Sequence, residues 1–135
     1  MPFSRIALHR GKSAEYLQAL SEGLHAALVD SFEVPETDRF QVIHQHDIGE
    51  LIFDPHYLGG PRSHDFVLIA ITAGRPRSVE TKQQFYRDLV EKLGRATGLG
   101  AEDVMVVITT TASDEWSFGG GRVNQPPGSY SAFIP

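Results

Sequence analysis

Cysteine is absent from the 135-residue sequence, which excludes disulfides, thiolate nucleophiles and cysteine-built zinc sites. Positive charge is also scarce: 12 Lys and Arg against 17 Asp and Glu give a formal charge of −5. No basic stripe of the kind that neutralises a phosphate backbone is present, so no nucleic-acid partner is expected. No apolar run approaches the roughly 20 residues of a membrane span, so no membrane association is expected. The opening Met-Pro-Phe-Ser-Arg lacks the charged and then apolar order of a secretory signal, and the expected location is cytoplasmic. Gly119-Gly120-Gly121 is followed by neither a helix nor Lys-Ser/Thr, so it is not a phosphate loop. What is there, 41% hydrophobic and 21% charged residues, suits one globular domain spanning residues 1–135.

Periodicity divides the chain into strands and helices. Pro2 to Leu8 alternates around Phe3, Ile6 and Leu8 and predicts a strand. Ser13 is a candidate N-cap for a helix to Phe32, with Leu17, Leu20, Leu24, Ala27 and Leu28 at helical spacing. Val34 to Thr37 reads as a connector into a strand at about Arg39 to His46. Residues 47–63 read as loop, with a short strand at Leu51-Ile52-Phe53. Phe66 to Thr72 is an apolar strand, Ser78 caps a helix to about Thr97, and Val104 to Thr109 is a fourth strand. The Gly- and Pro-rich tail, 112–135, predicts short turns and a terminal hairpin.

The order strand-helix-strand therefore occurs twice, over about 2–46 and 66–111. A constant shift relates the copies: Ser13 maps to Ser78, Glu15 to Glu80, Asp38 to Asp103, Ile43 to Ile108, and Arg10 and Lys12 to Arg75 and Arg77. Each crossover pairs its own strands in parallel with the helix on one face. The expected fold is α+β, an α/β two-layer arrangement: duplicated β-α-β units forming a four-stranded mixed sheet with two helices on one face. An approximate twofold would bring Pro2, Asp38, Arg75 and Arg77 to one edge. The other edge would hold Arg10, Lys12 and Asp103, with Val67 in place of Pro2.

Several residues at that first edge suit chemistry. Once Met1 is removed, Pro2 offers a secondary amine on a rigid ring. An α-amino group titrates near 7.7–8.0 in ordinary termini, so this one can act as acid, base or nucleophile. Pro76 biases Arg75 toward extended geometry, and alternation would place the Arg75 and Arg77 guanidiniums on one side. There they offer two forked donors for a small carboxylate beside the helix start at Ser78, the alternative being a solvated charged loop. Asp38 can balance the arginines or activate water, or can be a turn residue. Trp116 and Phe118 suit an apolar wall that excludes water and shifts the amine's pKa. His44 and His46 share a strand face, but two histidines do not make a metal site, and no metal or cofactor is expected.

Taken together these residues resemble the malonate semialdehyde decarboxylase branch of the tautomerase superfamily. The resemblance rests on Pro2, Val34-Pro35, Asp38-Arg39-Phe40-Gln41, His44-Gln45-His46, Gly74-Arg75-Pro76-Arg77, Thr81-Lys82-Gln83-Gln84-Phe85-Tyr86 and the stretch Asp114 to Arg122. It implies the tautomerase fold assembled as a homotrimer, with Pro2 catalytic, Asp38 as the catalytic aspartate, and Arg75 and Arg77 as the family's two arginines. Trp116 and Phe118 fall at its hydrophobic-pocket positions. By the same resemblance the reaction is decarboxylation of a small 3-oxo acid. Beyond Arg122 the match thins, and Gln125-Pro126-Pro127 stands where a more apolar segment is expected.

Other readings of the same residues remain. A keto-enol tautomerase for a 2-oxo acid would use neutral Pro2 as a base, and a hydratase or dehalogenase of an unsaturated acid would add an activated water. A non-catalytic trimeric interaction protein on this fold is a reading of another class, as is a histidine-based metal protein.

Overall fold

Ser13 and Ser78 open the two long helices, each with extended backbone and a hydroxyl accepting from an amide of the first turn, Tyr16 N at 3.1 Å and Thr81 N at 3.1 Å. The structure, a computed structural model, describes residues 2–124. The elements are β1 (Pro2–His9), α1 (Ala14–Ser31), β2 (Gln41–His46), β3 (Val67–Ala73), α2 (Val79–Thr97) and β4 (Val104–Thr110), with short 3₁₀ turns at Ala101–Asp103 and Ser113–Glu115. Gly98 ends α2 in the left-handed conformation, φ 77°, which glycine enters without steric cost.

The four strands form one sheet in the order β2-β1-β3-β4. β1 runs parallel to β2, β3 parallel to β4, and β1 antiparallel to β3. This is the duplicated β-α-β arrangement expected from the sequence, with its approximate twofold between β1 and β3. Alternation along β1 and β3 buries Ser4, Ile6 and Leu8, and Val67, Ile69, Ile71 and Ala73. These meet Leu20, Leu24, Ala27 and Leu28 of α1 and Phe85, Leu89 and Leu93 of α2. Phe32, just past α1, lies 4.9 Å from Phe85 between ring centroids and closes the core near the helix ends. Gly23 lets the helices approach: a Cβ there would fall 2.9 Å from Leu93 Cδ2.

Beside shifts of one residue at the ends of β1, β3 and β4, two differences from the sequence reading have a local cause. β2 begins at Gln41 instead of Arg39, because Asp38 N donates to Pro35 O at 3.0 Å and keeps 35–38 in a turn. Leu51-Ile52-Phe53 is not a strand: it finds no ladder partner and is held by side chains. Leu51 O bonds the His9 ring at 3.2 Å, and Phe53 stacks on Phe66 at 4.3 Å. The expected terminal hairpin falls largely at 125–135, outside the described residues. No helix among the described residues is long and apolar enough to cross a membrane.

Candidate active site

Strand direction decides what gathers at each edge. Pro2 opens β1 and lies directly across from Ala73, the last residue of β3. The parallel partner of β1 places the start of β2 at the same edge, where Ser4 N donates to Phe40 O at 3.0 Å. The end of β4 arrives there too, with Thr111 N donating to Ala73 O at 2.8 Å. Pro2, Asp38, Arg75 and Arg77 therefore share one edge, together with the chain after β4 that carries Trp116 and Phe118.

The two arginines are unlike. The side chain of Arg77 is buried, 1% exposed, while that of Arg75 is 55% exposed. Arg77 Nε donates to Phe32 O at 3.2 Å and its Nη1 to Arg75 O at 2.9 Å. Its Cζ lies 4.4 Å from the centroid of the Phe32 ring, a cation–π contact that pins the guanidinium plane. Nη2 is buried and has no hydrogen-bond partner among the described residues. Burial is the main influence lowering the Arg77 pKa, the Arg75 charge adds to it, and the Glu33 and Asp38 carboxylates oppose it. A buried cation with an idle donor is costly unless an anion completes it.

Glu33 completes the arginine cluster. Its Oε1 accepts from Arg75 Nη2 at 3.1 Å and lies 3.9 Å from Arg77 Nε. Sequence reading passed over Glu33 and Phe32. The available signal for Glu33 was an acidic side chain just past a helix C-terminus, where the dipole favours cations. Phe32 gave none, since a core aromatic at a helix end looks the same whether or not a guanidinium rests on it.

The apolar wall also assembles. Trp116 Nε1 donates to Thr111 Oγ1 at 2.6 Å, anchoring the indole beside the end of β4. Trp116 stacks on Phe118 with centroids 5.6 Å apart, and Phe118 meets Phe40, ahead of β2, at 5.9 Å. The post-β4 segment thus spans from β4 to β2 across the edge where Pro2 is buried. Phe40 joins this wall and was not singled out from sequence.

At the opposite edge the equivalents are tied up structurally. Asp103, the counterpart of Asp38, is buried and accepts from Ser63 N at 2.6 Å and Ser63 Oγ at 2.7 Å. Arg10 pairs with Asp47, and Lys12 with Asp65. His44 and His46 stack on β2 at 6.4 Å, with Arg5 Nη1 3.2 Å from His44 Nε2. No cluster of three or more His, Cys, Asp or Glu able to hold a metal occurs among the described residues.

Two family profiles, both described as "Tautomerase enzyme", match residues 38–119 and residues 2–60. The chain belongs to the tautomerase family. "Probable tautomerase YusQ" of Bacillus subtilis (strain 168) is 36% identical over 122 residues, 90% of this chain and 96% of that protein. Solved structures of malonate semialdehyde decarboxylase, presented as a basis for decarboxylase and hydratase activities, include one 37% identical with TM-score 0.84. That match covers 89% of this tautomerase-family chain and 92% of the other. A fused 4-OT wild-type symmetric trimer matches at TM-score 0.72 and 18% identity, over 90% of this chain and 94% of the other, a likeness of fold alone. Family membership supports an enzyme of the tautomerase type.

Proposed function

We propose that this tautomerase-family protein decarboxylates a small 3-oxo acid of the malonate semialdehyde type, with Pro2 as its catalytic amine. The observation that carries the reading is the register of Pro2 against Ala73, which sets Pro2 at the strand end leading into Gly74-Arg75-Pro76-Arg77. The likeness to malonate semialdehyde decarboxylase, at 37% identity, supports the same choice.

In this mechanism Arg75 and the idle Nη2 of Arg77 hold the substrate carboxylate. Pro2 as a cation donates a hydrogen bond to the 3-carbonyl oxygen, or as the neutral amine it adds to that carbonyl and expels water to give an iminium. The bond between C1 and C2 then breaks, its electron pair moves towards the carbonyl carbon, and carbon dioxide leaves. The resulting enol takes a proton at C2 to give the aldehyde directly. The enamine instead takes that proton to become an iminium that water hydrolyses, releasing the aldehyde and the free Pro2 amine. Asp38 balances the cations and can orient a water where an alkynoate is hydrated instead. Trp116 and the half-exposed Phe118 and Phe40 give the Pro2 edge an apolar border. Against it a bound substrate would displace water and so strengthen each of these charge interactions.

A second reading, keto-enol tautomerisation of a 2-oxo acid, is favoured by the 36% identity to a protein named as a probable tautomerase. It needs neutral Pro2 as base and no carbon–carbon cleavage. A screen of malonate semialdehyde, an acetylenic acid and phenylenolpyruvate, with wild type and Pro2→Ala, separates the readings. Carbon dioxide release that disappears in Pro2→Ala is expected. Turnover of phenylenolpyruvate alone would favour the tautomerase, and turnover indifferent to Pro2 would remove the amine from the mechanism.

The proposal includes a homotrimer. The sheet face away from the helices presents Val42, Met105 and Val107, each between 38% and 47% exposed, an apolar surface suited to other copies of the chain. A protein of the same fold is a symmetric trimer. Sedimentation equilibrium at the mass of three chains is the expected result.

A further inference from the structure

Glu33 sits against two local preferences at once. Its backbone is left-handed, φ 58°, at the position after a helix C-cap that usually falls to glycine. Its negative charge follows the helix end whose dipole favours cations. Strain of this kind persists where the surroundings enforce it, and it marks positions with a task. Here the surroundings are Arg75 and Arg77 on one side and, on the other, an open cleft of about 480 Å³ bordered by Asp30 and Glu80. Like charge in the cleft and opposite charge at the arginines both direct the carboxylate to the arginine pair.

The consequence is a charge count. In the proposed site the Pro2 cation and the Asp38 carboxylate offset one another. Arg75 and Arg77 would then present two positive charges to an incoming acid, and Glu33 Oε1, 3.1 Å and 3.9 Å from them, cancels one. We infer that Glu33 is a specificity-determining residue, an internal anion that makes the arginine pair select singly charged over doubly charged carboxylates. The inference rests on the reading of Arg75 and Arg77 as carboxylate holders. A monoanion places its one carboxylate on the donors and leaves Glu33 in place. A dianion must also set a second carboxylate within several ångströms of Glu33, in partly exposed surroundings where that repulsion is worth about fivefold in affinity. The effect weakens with salt, because Glu33 and Arg75 are both more than half exposed.

The test is amide chemical-shift titration with propionate and with malonate at low ionic strength, on wild type, Glu33→Gln, Glu33→Asp and Arg77→Ala. Glu33→Gln keeps the shape and removes the charge, so the ratio of malonate to propionate affinity should rise about fivefold. Glu33→Asp keeps the charge and should hold the ratio near that of wild type. If Glu33→Gln fails to fold, Glu33→Asn, better suited to left-handed backbone, should give the same rise. An unchanged ratio in the neutral variants, with binding lost in Arg77→Ala, overturns the inference and leaves the carboxylate-holding reading intact. Binding unaffected by Arg77→Ala overturns both.

Discussion

The guanidinium of Arg77 and the ring of Phe32 act as one unit. Cζ lies 4.4 Å from the ring centroid, and Nε donates to the carbonyl of Phe32 itself at 3.2 Å. The residue that closes the core between the helix ends is thus also the platform on which the buried cation rests. Phe32→Ala should cost about 3–5 kcal/mol by urea denaturation, as large-to-small changes at fully buried aromatics do. In the folded fraction it should also raise KM for a carboxylate substrate. Arg77→Lys should not restore wild-type KM, because an ammonium cannot serve Phe32 O, Arg75 O and a substrate with one planar fork.

The two repeat-related aspartates should separate stability from activity. Asp103→Ala strands the two Ser63 donors at 2.6 and 2.7 Å, a loss of about 1–3 kcal/mol in stability. The kcat of the remaining folded enzyme should be unchanged. Asp38→Asn removes the carboxylate that balances the cations in the proposed mechanism and should lower kcat by roughly fivefold or more, the worth of about 1 kcal/mol of charge interaction. Denaturation midpoints and steady-state rates for the two variants give the comparison directly.

Lys92 clips α1 to α2, with Nζ 3.0 Å from Asp30 Oδ2 and 3.2 Å from Asp88 Oδ1. Its pKa is raised, chiefly by the hydrogen bonds to Asp30 and then Asp88. A raised lysine pKa means that the clip contributes fully below the unfolded value, about 10.4, and fades as pH rises through the folded value. The difference in thermal midpoint between wild type and Lys92→Met should therefore be constant from pH 7 to 9 and shrink at higher pH. Added salt should shrink it as well.

The hydrogen bond from Trp116 Nε1 to Thr111 Oγ1, 2.6 Å, fixes the segment that spans the Pro2 edge. Trp116→Ala should cut kcat/KM by roughly 10–100-fold through lost positioning, with little change in the denaturation midpoint. An increase in the rate at which a bulky amine reagent labels Pro2 would report the opened wall.

Much of this geometry was legible before any coordinates. Ser13 and Ser78 announced both helix starts because an N-cap is a local event. Two crossovers related by a twofold were legible in the repeated order of elements, and they carried Pro2, Asp38, Arg75 and Arg77 to one edge. That β1 and β3 are the central strands came from the structure, because two crossovers can also join through their second strands. Leu51-Ile52-Phe53 misled because strand propensity is realised only where a ladder partner exists. Glu33 and Phe32 were missed for the opposite reason. Nothing local distinguishes them, and their roles arise where a helix end meets a loop about 42 residues later in the chain. Phe40 entered the aromatic wall by the same kind of long-range meeting.

The central claim is that Pro2, as a free amine beside the arginine pair, is the reactive group. Mass analysis of the N-terminal peptide after incubation with an acetylenic acid tests it most directly. The account predicts a peptide lacking Met1 and carrying one covalent adduct on Pro2, formed much more slowly in Arg77→Ala. A peptide that retains Met1, or an unmodified Pro2 with the adduct elsewhere, would contradict it.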